Sequence, residues 1–232
     1  MISIDLLGRI GNQMFQYAIC RIVADKNGYD FHIPRKNGSV STHISDIFDL
    51  DLGYSFFNQL YYYKETDCQR YDNNIFNIKD GTKICGYFQT EKYFDGYENK
   101  IKNWFKIDMD DKTKNIINSY PIDEYCYIHF RGTDYKDWNN GNYFLPKSYY
   151  DESIKKISSI YNRLKFLVVT DDLELANNFF NFDIISNDMI TDFKLFYFSD
   201  FSIIPNSTFS WWSNWLSNKK ITIAPNNWLN YN

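Results

Sequence analysis

Four short polar segments each follow an apolar run and precede a helical pattern, and they hold most of the side chains suited to chemistry. "MISIDLL" is followed by Gly8–Gln13, with two glycines and the Asn12–Gln13 amide pair. "YCYIHF" is followed by "RGTDYKDW", with Arg131, Asp134 and Asp137. "LKFLVV" is followed by Thr170, Asp171 and Asp172, and "FSIIP" by Asn206, Ser207 and Thr208. Gly8 and Gly11 allow a tight turn that presents N–H groups at a helix start, where an anion is favoured. The plainer reading of the same GxxG spacing is a turn with Asn12 as the cap. Arg131 can fork onto a phosphate or a carboxylate. Asp134 can orient that arginine, cap the next segment or take a proton, and a surface ion pair is its plain alternative. Asp171 and Asp172 can hold a ribose or a base N–H, or Asp171 can cap a helix with Asp172 and Glu174 in its first turn. Asn206, Ser207 and Thr208 offer polar groups to a phosphate or base, or again a cap. His129, inside its strand, reads as a core histidine, and Trp211 and Trp212 read as core.

The elements that must position these loops follow from periodicity. "MISIDLL" reads as a strand and Gly11–Lys26 as a helix with Phe15, Ala18, Ile19, Ile22 and Val23 on one stripe, ended by Gly28. "YDFHIP" and Thr82–Phe88 are further strands, while residues 35–80 show no usable period. Two helical stretches, "DGYENKIKNWFKI" and "DDKTKNIINSY", come next, and Pro121 marks the expected domain boundary. Beyond it, strands "EYCYIHF", "LKFLVVT", "FDIIS", "FSIIP" and "KITIAP" alternate with helices, one opened by Pro146. Continuous apolar strands alternating with helices predict a parallel α/β sheet. When strands are parallel, ligands bind beyond their carboxyl ends, so the four polar loops should gather there.

Composition narrows the partners. The chain has 232 residues, 44% of them apolar, and its 20 Tyr and 20 Phe imply cores built largely from rings. A net charge of −4 argues against a nucleic-acid or membrane-binding surface. Cys20, Cys68, Cys85 and Cys126 form no CxxC pair, and the three histidines have no zinc-site spacing. No signal peptide or membrane-spanning run is visible, which favours a cytoplasmic location, with peripheral membrane attachment left open. The glycosylation-type triplets at Asn37 and Asn206 are therefore not expected to be used. Two DxD triplets, Asp49–Asp51 and Asp108–Asp110, fit a metal-bound nucleotide sugar, yet neither follows a convincing strand, and the second reads as a cap.

In order along the chain, "GRIGNQMFQYA", "GYFQTEKYF" (Gly86–Phe94), "HFRGTDY", "VVTDD" and "NSTFSWW" resemble the α-1,2-fucosyltransferases of glycosyltransferase family 11. The resemblance runs from Gly8 to Trp212, with residues 35–80 and the C-terminal tail carrying little of it. It implies a GT-B-like α/β fold of two Rossmann-like parallel-sheet halves facing a cleft. Residues 1–121 would form the acceptor side and residues 122–232 the GDP-sugar side. The implied reaction is metal-independent and inverting: L-fucose moves from GDP-fucose to a hydroxyl of a glycan acceptor, the 2-OH of a galactoside. No cofactor beyond the donor substrate is implied. Arg131 matches the first arginine of the family's His-x-Arg-Arg-x-Asp motif and by that match grips the pyrophosphate, while Asp134 matches its closing acid. The donor-binding set becomes Gly11, Asn12, Gln13, His129, Arg131, Asp171, Asp172, Asn206, Ser207 and Thr208. Arg131, Asp134 and Asp137 form the catalytic set, with Asp134 or Asp137 as base.

The chain departs from the motif at Gly132, which stands where the second arginine belongs. Loss of that guanidinium removes stabilisation from a departing diphosphate. Another cation or helix N-terminus then substitutes, or the donor is a different GDP-sugar such as GDP-rhamnose or GDP-mannose, or turnover is slow. The alternative from another class is a sugar-nucleotide-binding module without turnover.

Overall fold

The fold is that of a computed structural model, which describes residues 1–35, 42–67, 70–133, 135–136 and 143–226. The chain divides into two compact units, Met1–Ile107 and Asp108–Asn232.

In the first unit, β1 (Ile2–Ile4), β2 (Phe31–His32), β3 (Tyr61–Lys64) and β4 (Thr82–Cys85) form a parallel sheet in the order β2-β1-β4-β3. The helix α1 (Ile10–Asn27) is buried along most of its length. Its Phe15 stacks on Phe94 at 5.8 Å and its Tyr17 meets Phe105 at 5.5 Å, so aromatic rings build this core. Gly28, in the left-handed conformation (φ +66°), ends α1 and returns its N–H to the carbonyls of Ala24 and Asp25. A shorter helix, α2 (Glu98–Trp104), follows the sheet. The strand β3 lies in the stretch without a sequence period. It is an edge strand, and Tyr61, Tyr62 and Lys64 are exposed, so no alternation marks it.

The second unit holds α3 (Asp111–Ser119), β5 (Tyr125–Phe130), α4 (Lys147–Ile160), β6 (Lys165–Thr170), α5 (Leu173–Phe179), β7 (Asp183–Ile185), α6 (Met189–Phe198), β8 (Phe201–Ile203), α7 (Thr208–Trp215) and β9 (Ile221–Ile223). Its five strands are all parallel in the order β7-β6-β5-β8-β9. The central β5 is buried on both faces, which is why its sequence is apolar without a polar alternation. Cys126, Ile128 and Phe130 face α4 and α5 through Tyr150, Ile157 and Ala176. Tyr127 faces the other way, with Leu195 and Phe196 of α6. Pro146 is the N-cap of α4 rather than its first residue.

The boundary expected at Pro121 is corrected to Ile107/Asp108. The reason is that α3 belongs to the second unit: Ile116, Ile117 and Tyr120 pack on the Tyr127–Phe196 face. The Tyr127 hydroxyl donates to the Tyr120 carbonyl at 2.6 Å, and Lys194 Nζ reaches Asp110 Oδ2 at 2.6 Å. Among the described residues, no helix is long and apolar enough to cross a membrane.

Candidate functional site

Strand order locates the place where a ligand can enter each unit. From β5 the chain moves outward through β6 to β7, then returns to lay β8 and β9 on the other side. The helix after β5 covers one face of the sheet, while Phe209, in the helix after β8, packs on the other. The loops leaving β5 and β8 therefore diverge and open a crevice at the carboxyl ends of those strands. Arg131 stands at the end of β5, and Asn206, Ser207 and Thr208 stand at the end of β8. The two loops are joined by Tyr135, whose hydroxyl donates to the Asn206 carbonyl at 2.7 Å. The Arg131 guanidinium lies 5.0 Å from the Tyr135 ring centre, a cation–π distance.

The start of α7 lies at the same point. Ser207 is its extended N-cap, and the Ser207 side chain makes no capping hydrogen bond. The first-turn N–H groups of α7 are therefore not capped by that hydroxyl. Asn206 is buried with Oδ1 unpartnered among the described residues, and His129 is buried with Nδ1 in the same condition. The His129 ring lies 5.3 Å from Phe196 and 5.6 Å from Phe209. Burial, reinforced by the Arg131 charge, pushes its pKa down to about 3, so the imidazole is neutral and can accept or donate one hydrogen bond at each nitrogen.

The turn after β6 braces this crevice. Asp171 Oδ1 accepts the Gly132 N–H at 2.8 Å, and Oδ2 accepts the Thr133 hydroxyl at 2.8 Å. Burial alone would raise the Asp171 carboxyl. The bonds from Gly132 and Thr133 and the Arg131 charge outweigh it and hold the group below the usual carboxylate range. The N-cap of α5 is Asp172, not Asp171: Asp172 Oδ1 accepts the Leu175 N–H at 3.0 Å. Lys136 Nζ lies 3.4 Å from Asp172 Oδ2. A Cβ on Gly132 would stand 2.7 Å from Asp172 Cβ, well inside van der Waals contact. The residue replacing the motif's second arginine is thus the one over which the β6–α5 turn closes. Asp134 and Asp137, the expected bases, lie outside the described residues, as do Cys68 and the Asn37 triplet.

The first unit has its own switch point, between β1 and β4. Gly8 has φ +70°, and a Cβ there would meet Asn12 Nδ2 at 2.5 Å, so the turn requires glycine. The N-cap of α1 is Arg9, which puts Gly11 and Asn12 inside the first turn and leaves Asn12 free of the capping role. Asn12 Oδ1 instead accepts from Gln89 Nε2 at 3.0 Å. Gln13, expected among the donor ligands, is a buried strut. Its Nε2 donates to the Gly8 and Thr42 carbonyls at 3.2 and 2.9 Å, and its Oε1 accepts the Ile44 N–H at 3.0 Å. Gln16 does the same, from the Leu7 N–H to the Gly86 carbonyl. Such struts carry no sequence signal beyond a polar residue on an otherwise apolar helix. Asp51 and Asp110 of the DxD triplets are engaged in turn and cap bonds, to the N–H groups of Gly53 and Thr113.

Comparison with known proteins finds glycosyltransferases. The Escherichia coli Alpha-1,2-colitosyltransferase is 28% identical over 72% of this chain, and the match spans 63% of that protein's length. The Escherichia coli O-antigen biosynthesis glycosyltransferase WbnK is 26% identical over 97% of this chain and 93% of its own length. Among solved structures, fucosyltransferase NodZ from Bradyrhizobium superposes with a TM-score of 0.57 at 14% identity, covering 93% of this chain and 92% of that one. NodZ alpha-1,6-fucosyltransferase soaked with GDP-fucose gives a TM-score of 0.52 at 13% identity over the same shares. These likenesses bear out the GT-B-like α/β fold, with a parallel sheet in each unit. The glycosyl transferase family 11 model matches residues 1–232, and the chain belongs to that family.

Proposed function

We propose that this glycosyltransferase moves L-fucose from GDP-fucose to a glycan hydroxyl, the 2-OH of a galactoside, with inversion at the transferred carbon. The observation that carries the reading is the placement of Arg131 and the start of α7 at the ends of the adjacent strands β5 and β8, linked by Tyr135 through its ring and its bond to the Asn206 carbonyl. That arrangement suits a diphosphate: a guanidinium fork from one strand end and helix N–H groups from the next. In the reaction, the acceptor oxygen forms a bond to the anomeric carbon as the carbon–oxygen bond to the diphosphate breaks. The leaving group keeps the electron pair, and Arg131 with the α7 start stabilises the charge that develops on it. The hydroxyl proton passes to a carboxylate, for which Asp134 and Asp137 are the candidates. Within this reading the second unit holds the GDP-sugar, the first unit faces the acceptor, no metal takes part, and the enzyme works in the cytoplasm.

A second donor sugar has one observation in its favour. The colitosyltransferase relative carries a different sugar in its name, and Gly132 marks a departure in the donor motif. The deciding experiment is a thermal-shift titration with GDP, UDP, ADP and dTDP in EDTA, followed by transfer assays with GDP-sugars. Stabilisation by GDP alone is expected; at a hundred times its dissociation constant a ligand contributes about 2.7 kcal/mol. Stabilisation by UDP or dTDP in place of GDP overturns the donor assignment. GDP binding with neither transfer nor donor hydrolysis marks a binding module.

A further inference from the structure

Glu65 follows β3 on the sheet edge, and its carboxylate is turned onto the segment that leaves β4. Oε2 accepts the Tyr87 N–H at 2.7 Å, and the two oxygens accept the Phe88 N–H at 3.1 and 3.2 Å. Those amides belong to a turn of unfavourable backbone. Phe88 has φ +51° and is the one non-glycine residue with positive φ among the described residues. Such a conformation persists only where its surroundings impose it, and it recurs at functional sites. A Cβ on Gly86 would stand 2.5 Å from Glu65 Cβ, so the Glu65 side chain fills the space that any side chain at 86 would need.

What the turn holds is the switch point of the first unit. The Gly86 carbonyl accepts Gln16 Nε2 at 3.0 Å, and Gln89 Nε2 donates to Asn12 Oδ1 at 3.0 Å. The Tyr87 ring, between them, is exposed. Anchoring the turn does not itself need a carboxylate: the Phe88 ring is fully buried and meets Tyr93 edge-on at 5.7 Å. What Glu65 adds is the direction of the Tyr87 and Phe88 amides, and with it the heading of the residues on either side.

We propose that Glu65 is a positioning residue for the acceptor: through the Gly86–Phe88 turn it sets the exposed Tyr87 ring against an incoming glycan. The inference rests on the reading of the first unit as the acceptor side. The experiment compares steady-state transfer and backbone amide exchange in the full chain for wild type, Glu65→Gln and Glu65→Ala. Glu65→Ala should raise the acceptor KM about tenfold or more, since small misplacements near a reacting group are costly. Glu65→Gln, which keeps one acceptor oxygen, should fall between, with donor KM and donor hydrolysis within about twofold of wild type in both. Exchange at the Tyr87 and Phe88 amides should quicken in both variants while the second unit stays unchanged. An active enzyme whose acceptor KM is unmoved, or whose donor KM rises equally, overturns the inference alone. A wild-type chain that transfers no sugar overturns it together with the proposed function.

Discussion

Arg131 and Gly132 are neighbours with opposite demands on space. The arginine needs an open crevice in front of it, and the glycine is where the β6–α5 turn closes in. Arg131→Ala removes the fork but leaves the strand end intact. It should lower kcat by about 100-fold or more, the scale found when one preorganised charge-stabilising donor is lost. The melting temperature should hardly change, and activity like that of wild type would sink the diphosphate assignment. At Gly132 the cost should fall on stability. Gly132→Ala places a methyl 2.7 Å from Asp172 Cβ and should destabilise by about 1–3 kcal/mol, as overpacking does. Asp172→Gly alone should cost only a few tenths of a kcal/mol at a cap, plus a weak pair with Lys136, and should relieve most of the Gly132→Ala loss. A thermal-unfolding double-mutant cycle reads this directly, and additive effects would show that the two positions do not collide. The role of Gly132 as an altered motif position was legible in the sequence. Its contact with Asp172 was not, because the two are forty residues apart and meet only across β5 and β6.

At the scale of an element, burial disturbs one titratable group at each end of α6: Asp192 on the helix itself, and Lys219, which reaches it from the segment before β9. Asp192 lies in the first turn of α6, and burial pushes the carboxyl up to about 7, against the opposing bond from Asn187 Nδ2 at 2.9 Å. Lys219 Nζ reaches the carbonyls of Phe196 and Ser199 at the other end, and burial draws its amine down to about 7. For Asp192 the folded pKa stands above the unfolded value of about 3.9, so the folded chain binds more protons between those limits. Its contribution is complete below about pH 4 and is lost as pH rises toward 7. Lys219 acts with the opposite sign and only above about pH 7, because its folded pKa is the lower one. Asp192→Asn keeps an oxygen for Asn187, so between pH 4.5 and 7 its melting temperature should fall less with pH than that of wild type. Parallel curves would show that the carboxyl is not the buried group described here. Elements such as α6 and β5 could be read from periodicity and apolar runs because their burial is one-sided or complete. The edge strand β3 could not, since exposed tyrosines on both of its faces leave no alternation.

For the molecule as a whole, each unit is a parallel sheet with a switch point, and three of the four polar loops, Gly8–Gln13, the one after β5 and the one after β8, leave the strands that flank those points. Apolar runs in alternation with helices were enough to determine a parallel α/β class, because a strand buried on both faces must be apolar throughout. The motifs with their order determined the family, and Arg131 was marked by its place at a strand end. Other features depended on residues far apart in the chain. The boundary fell at Ile107/Asp108 because α3 packs on the face formed by Tyr127 and Phe196. Gln13 and Gln16 became struts because their partners, Thr42, Ile44 and Gly86, arrive from other loops. Glu65 acquired its role only when β3 paired with β4 and set its carboxylate over two amides. A sequence states which groups are available and which segments must be buried. The tertiary structure decides which polar groups are consumed in holding loops together and which remain for a ligand, because hydrogen bonds between loops depend on strand order rather than on spacing along the chain.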